Sequence, residues 1–140
     1  MPLITNTVRT IGDRLPKIIS PKGHAIFDYV QVGAFTLMGA LFWKKNKRAA
    51  VAAFSIAAAE VTTALLTDYP GGVTDVFSFE THGKIDAAMA GAVAGMPNLL
   101  GFGGESQAKH FRIRGGVMAA VTAMTRFKPE DSYESEFEVA

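Results

Sequence analysis

AAVAAFSIAAAEVTTALLT, residues 49–67, carries one formal charge, Glu60, in nineteen positions, and small or apolar side chains occupy nearly every angle around a helix. A helix on a soluble core shows one apolar stripe and one polar face, and this segment shows no such division. Its length is close to the roughly 20 apolar residues that cross a bilayer. AIFDYVQVGAFTLMGALFW (25–43) and IDAAMAGAVAGMPNLLGF (85–102) repeat the pattern, with Asp28 and Asp86 as their single charges. FRIRGGVMAAVTAMTRF (111–127) is shorter and has arginines near both ends. Four such blocks predict an all-α, four-helix transmembrane bundle spanning residues 23–127. Gly33, Ala34, Gly91 and Gly95 suit close helix approach in lipid.

The rest of the sequence frames this reading. The 140 residues suffice for one domain, and the charged fraction, 19%, is below the roughly 25% of a soluble domain. With no cysteine, disulfides, thiolate metal sites and cysteine nucleophiles are excluded. A net charge of +1, with basic residues confined to connectors that lack interleaved aromatics, argues against a nucleic-acid partner. KKNKR (44–48) and GGESQAKH (103–110) are polar connectors, and YPGGVTDVFSFE (69–80) opens on a turn signal. Residues 1–22 place Ile4, Val8, Ile11, Leu15 and Ile18 at helical spacing, which predicts an amphipathic interfacial segment that Pro16 bends or ends. Residues 128–140 read as an acidic disordered tail. Basic first and third connectors favour the cytoplasmic side for both, with the termini outside.

A shift of 58 residues superposes His24 on His82, Asp28 on Asp86, Gly33 on Gly91, Met38 on Met96 and Leu41 on Leu99. The same shift lays Thr67-Asp68-Tyr69 over Thr125-Arg126-Phe127. The chain then reads as two tandem helical hairpins, about 24–69 and 82–127, related by a pseudo-twofold axis along the membrane normal. That arrangement gathers His24, Asp28, His82, Asp86, Asp68, Tyr69 and Arg126 near one membrane face.

A His-x-x-x-Asp opening and a Met96-Pro97-Asn98-Leu99-Leu100-Gly101-Phe102 close resemble small bacterial four-helix membrane proteins of the SPW-repeat type. Those proteins carry Ser-Pro-Trp ahead of a Gly-Phe ending. Here Met96-Pro97-Asn98 stands at the signature in one copy and Met38-Gly39-Ala40 in the other. The resemblance covers residues 24–127. It implies the bundle architecture and a bacterial inner-membrane location, and supplies no activity.

His and Asp at i and i+4 share one helical face. Two such pairs offer two imidazoles and two carboxylates, a set suited to zinc, iron or manganese, and the imidazoles alone suit haem. The plainer reading is that each Asp orients its own His, or pairs with Arg126 or Lys84, at a helix start. Glu60, near the middle of its block, is costly in lipid unless it meets a partner, water or a proton. Tyr29, Tyr69 and Trp43 sit at block ends as interfacial anchors, and His110 belongs to a headgroup-facing connector. No nucleophile, phosphate-loop or hydrolase motif is present. The expectation that follows is a non-enzymatic accessory or scaffold component, acting by helix packing with copies of itself or in a larger membrane complex. The alternatives are a metal or haem binder using His24, Asp28, His82 and Asp86, and a proton or small-solute pathway through Glu60.

Overall fold

The computed structural model describes residues 14–128, and within them the chain is all-helical, with four long helices and no strands. They are α1 (Pro21–Phe42), α2 (Lys47–Leu65), α3 (Phe79–Leu99) and α4 (Ala108–Ala123). Three starts are set by side chains that accept the orphan N–H groups of a first turn. Ser20 Oγ accepts from Gly23 N (3.0 Å), Asn46 Oδ1 from Ala49 N (3.1 Å) and Ser78 Oγ from Thr81 N (3.1 Å). At the end of α3, Gly101 turns the chain at φ +75°, a left-handed conformation that glycine adopts without strain.

The helices pair as hairpins, α1 against α2 and α3 against α4. Each pair meets at a glycine. A Cβ on Gly39 would lie 2.7 Å from the Phe54 ring, and one on Gly115 would lie 2.8 Å from the Ala90 carbonyl and Ala94. Two short parallel bridges, Ile19 with Thr125 and Thr67 with Phe77, lace the ends where α1 and α3 begin; equivalent members of the two bridges, Ile19 and Phe77, Thr67 and Thr125, stand 58 residues apart in the sequence. Their hydrogen bonds match as well. Ile19 N donates to Met124 O as Phe77 N does to Leu66 O, and Arg126 N donates to Ile19 O as Asp68 N does to Phe77 O.

Inside, the two halves of the bundle differ. Toward the hairpin tips the core is apolar, with Phe35, Phe102 and Phe111 fully buried among Ala49, Ala50 and Ala53. Toward the other end it holds His24, Asp28, Gln31, Glu60, Thr67, His82, Asp86 and Thr125. Between them Arg114 of α4 reaches α1, its Nη1 donating to Gln31 Oε1 (2.6 Å) and its Nε to Met38 Sδ (3.2 Å). The outside of α1 is apolar instead: Ile26, Val30, Leu37 and Leu41 are each about 60% exposed, all on successive turns of one face.

Two helices, α1 and α2, are long and apolar enough to cross a membrane. The four sequence blocks predict four spans, and α3 and α4 do not meet the same standard among the described residues. The 21 residues of α3 suffice in length, but Glu80, His82, Lys84 and Asp86 load its first half. The 16 residues of α4 reach about 24 Å against a hydrocarbon core of about 30 Å. Residues 1–13 and 129–140, with most of the expected amphipathic segment and the acidic tail, lie outside the described residues. Of that segment, 16–20 is extended rather than helical: Pro16 has no N–H to donate, Ile19 pairs with Thr125, and Pro21 already opens α1.

Candidate metal centre

His24 and Asp28 lie in the first two turns of α1, His82 and Asp86 in those of α3. Side chains tilt toward a helix N-terminus, so each Asp leans back toward its His, and the close approach of the two helix starts brings the pairs together. One ligand atom from each of the four residues fits in a group whose members all lie within 4.8 Å of one another. All four residues are buried, at 1–6% exposure. The pairing crosses between the hairpins. Asp86 Oδ2 lies 2.8 Å from His24 Nε2 and 3.0 Å from His82 Nε2. Asp28 Oδ1 lies 3.3 Å from His24 Nε2, and Asp28 Oδ2 lies 3.2 Å from His82 Nε2. Among the described residues the two carboxylates pair with the histidines rather than with Arg126 or Lys84; Arg126 Nε donates to the Lys17 carbonyl (2.7 Å) and Lys84 is exposed.

Two threonines decide the protonation of the rings. Thr67 Oγ1 donates its single proton to the Thr63 carbonyl (2.6 Å), and Thr125 Oγ1 donates to the Val121 carbonyl (2.6 Å). Each hydroxyl can then only accept from its neighbouring ring, so His82 Nδ1–H donates to Thr67 (2.7 Å) and His24 Nδ1–H to Thr125 (2.8 Å). In a neutral imidazole this leaves Nε2 as a bare lone pair, aimed at carboxylate oxygens. Lone pairs facing lone pairs in a buried space repel unless a proton or a metal cation stands between them, and His24 Nε2 already lies in hydrogen-bond geometry with Asp86 Oδ2 (2.8 Å). His82 Nε2 shows the mismatch, since it is buried beside two carboxylates yet aligned for a hydrogen bond with neither.

Aromatic rings close the cluster from outside. The His24 ring meets Phe79 and Phe127 edge-on, at 5.5 and 5.3 Å between centroids. Tyr69 stacks on Phe79 at 5.4 Å and lies 5.1 Å from His82. Above them opens a surface cavity of about 420 Å³ lined in part by Pro21, Asp68, Tyr69 and Arg126. Tyr69 is therefore more than an interfacial anchor: its hydroxyl donates to Asp28 Oδ2 (2.7 Å). Burial first, and then that bond, push the phenol above its ordinary pKa, so it stays protonated.

Of the residues singled out from sequence, His24, Asp28, His82, Asp86 and Tyr69 come together. Asp68 is exposed at the rim, and Arg126 Nε donates to the Lys17 carbonyl. Glu60 is buried one level deeper in α2, within electrostatic reach of Asp86, Asp28 and His82, and has no hydrogen bond or ion pair among the described residues. Thr67, Thr125, Phe79 and Phe127 were not singled out as site residues, although the 58-residue shift aligns Thr67 with Thr125. The haem alternative does not fit, because the two carboxylates lie between the ring nitrogens where a porphyrin would pass. The fold and site thus define a pair of helical hairpins built around a buried His₂Asp₂ cluster. No known family, curated protein or solved structure matches this chain.

Proposed function

We propose that this protein is a small, non-catalytic integral membrane component whose two hairpins are tied together by a divalent transition metal held by His24, Asp28, His82 and Asp86. The observation that carries the reading is the pair of Thr–His bonds, which turns both Nε2 atoms toward the carboxylates, with His82 Nε2 left without a hydrogen-bond partner there. Two neutral imidazoles and two carboxylates balance a 2+ ion, and threonines that orient the rings act as the outer-shell partners such sites need. A tetrahedron with bonds of about 2 Å has edges of about 3.3 Å; the His–Asp separations here are 2.8–3.3 Å and the four ligand atoms all lie within 4.8 Å of one another, so small side-chain shifts would close the shell. Four buried protein ligands leave no open position for substrate, the pattern of a structural rather than a catalytic site. The transmembrane setting is supported by the apolar exterior of α1 around a polar interior and by two helices of spanning length.

The finer features belong to the same reading. Matched caps and bridges at a 58-residue offset support a duplicated hairpin, in keeping with the SPW-repeat resemblance and a bacterial inner membrane. Gly33, Gly91 and Gly95, with open space beside each, favour helix packing with further copies or with a larger membrane complex. A pathway through Glu60 is disfavoured by Phe35, Phe102 and Phe111, which fill the tip half of the interior.

Elemental analysis of protein purified without added chelator tests the assignment. About one equivalent of zinc, manganese or iron is expected, falling to background in His24→Ala/His82→Ala. Equal metal content in the two proteins would remove the proposal.

A further inference from the structure

We propose that the two hairpin tips form a basic crown that binds anionic phospholipid headgroups, seating the tips in the anionic leaflet and the metal centre at the opposite face. The inference rests on the membrane reading above and adds a partner and an orientation to it. At the first tip Lys44, Lys45, Lys47 and Arg48 are exposed, and at the second Lys109 and Arg112. Among the described residues of the two tips the single carboxylate is Glu105, and Asn46 Nδ2 donates to it (2.6 Å). That bond also joins the tips, so the six cations form one surface rather than two.

What surrounds the charge identifies the partner. Leu41, Trp43, Leu99 and Leu100 are 61, 44, 76 and 40% exposed at the same end of the bundle, forming an apolar girdle beneath the cations. Charge above a greasy girdle matches the boundary between phosphate headgroups and acyl chains. A nucleic-acid surface would need free aromatic faces among the cations, and the one Trp face here is covered by Lys47 Nζ at 3.9 Å. The opposite end mixes its signs, with Asp68, Asp75 and Glu80 exposed among Arg14, Lys22, Lys84 and Lys128. Segments flanking membrane helices that carry Lys and Arg stay on the cytoplasmic side, where anionic lipids concentrate. The cavity over Tyr69, Phe79 and Phe127 then opens on the far side.

Two measurements test this together. The first is native mass spectrometry of protein taken from bilayers of three parts phosphatidylcholine to one part phosphatidylglycerol. Retained phosphatidylglycerol should fall about tenfold in K44Q/K45Q/K47Q/R48Q and stay unchanged in a K84Q control; equal retention in all three, or RNA bound in place of lipid, overturns the crown. The second needs no charge variant, because the natural chain has no cysteine. Single cysteines are placed by G104C at a tip, where a Cβ meets nothing within 4 Å, and by D75C in the exposed α2–α3 loop. A membrane-impermeant maleimide applied to intact bacterial cells expressing the variants should label D75C directly and G104C only after permeabilisation. The reverse pattern overturns the orientation while leaving the membrane reading intact. Recovery of the chain in the soluble fraction would overturn both.

Discussion

The hydroxyl of Thr67 has one proton, and the Thr63 carbonyl takes it. From that bond follow a proton on His82 Nδ1 and the need for a proton or a metal cation at its other nitrogen; Thr125 does the same for His24. Thr67→Val and Thr125→Val keep the shape and remove the oxygen, so each should lower metal affinity about 10–100-fold. Titration of metal-depleted protein with Zn²⁺ measures this, and wild-type affinity in both variants would show that the threonines orient nothing. The His/Asp pairs were legible in the sequence because i, i+4 spacing fixes a shared face. The threonines were not, since a threonine near a helix end reads as bonded to its own backbone, and only its distant partner gives it a second role. Asp68 and Arg126 occupy positions that the repeat aligns, yet alignment places a backbone and leaves the side-chain direction open.

Within each hairpin a glycine sets how near the helices come, but the two glycines face different neighbours. Gly115 abuts backbone, the Ala90 carbonyl and the Ala94 nitrogen at 2.8 Å from an ideal Cβ, and backbone cannot step aside. Gly39 abuts the ring of Phe54, which is 38% exposed and has room to swing outward. Gly116 faces open space. G115A should therefore destabilise by about 1–3 kcal/mol. G39A should cost less, and G116A should be neutral or stabilising by up to about 1 kcal/mol through helix propensity. Thermal melts in detergent give the order, and G116A proving the worst of the three would contradict the packing described. Helix number and connector positions were readable from the apolar blocks and their punctuation. The break near Pro16 was readable too, but the pairing of Ile19 with Thr125 spans more than a hundred residues and leaves no local pattern.

Across the whole molecule, α1 and α3 each bring half of the proposed metal site, so a bound ion would cross-link the hairpins. Binding that favours only the folded state stabilises by RT ln(1 + [L]/Kd), about 4 kcal/mol at a thousand times Kd. For a chain of this size that is a melting-temperature drop of roughly 15 °C when a chelator strips the ion. The drop should vanish in His24→Ala/His82→Ala, whereas a chelator without effect on wild type would leave the hairpins held by packing alone. The polar interior itself was legible from three rare acidic groups, Asp28, Glu60 and Asp86, in apolar blocks. The division into a polar half and an aromatic half was not, because it depends on which faces of four helices turn inward. The most direct measurement is X-ray absorption at the zinc K-edge of protein loaded with one equivalent of Zn²⁺. The account predicts a four-coordinate shell of nitrogen and oxygen at about 2.0–2.1 Å, with outer-shell scattering from two imidazoles. A six-coordinate water-like shell without imidazole scattering would contradict it.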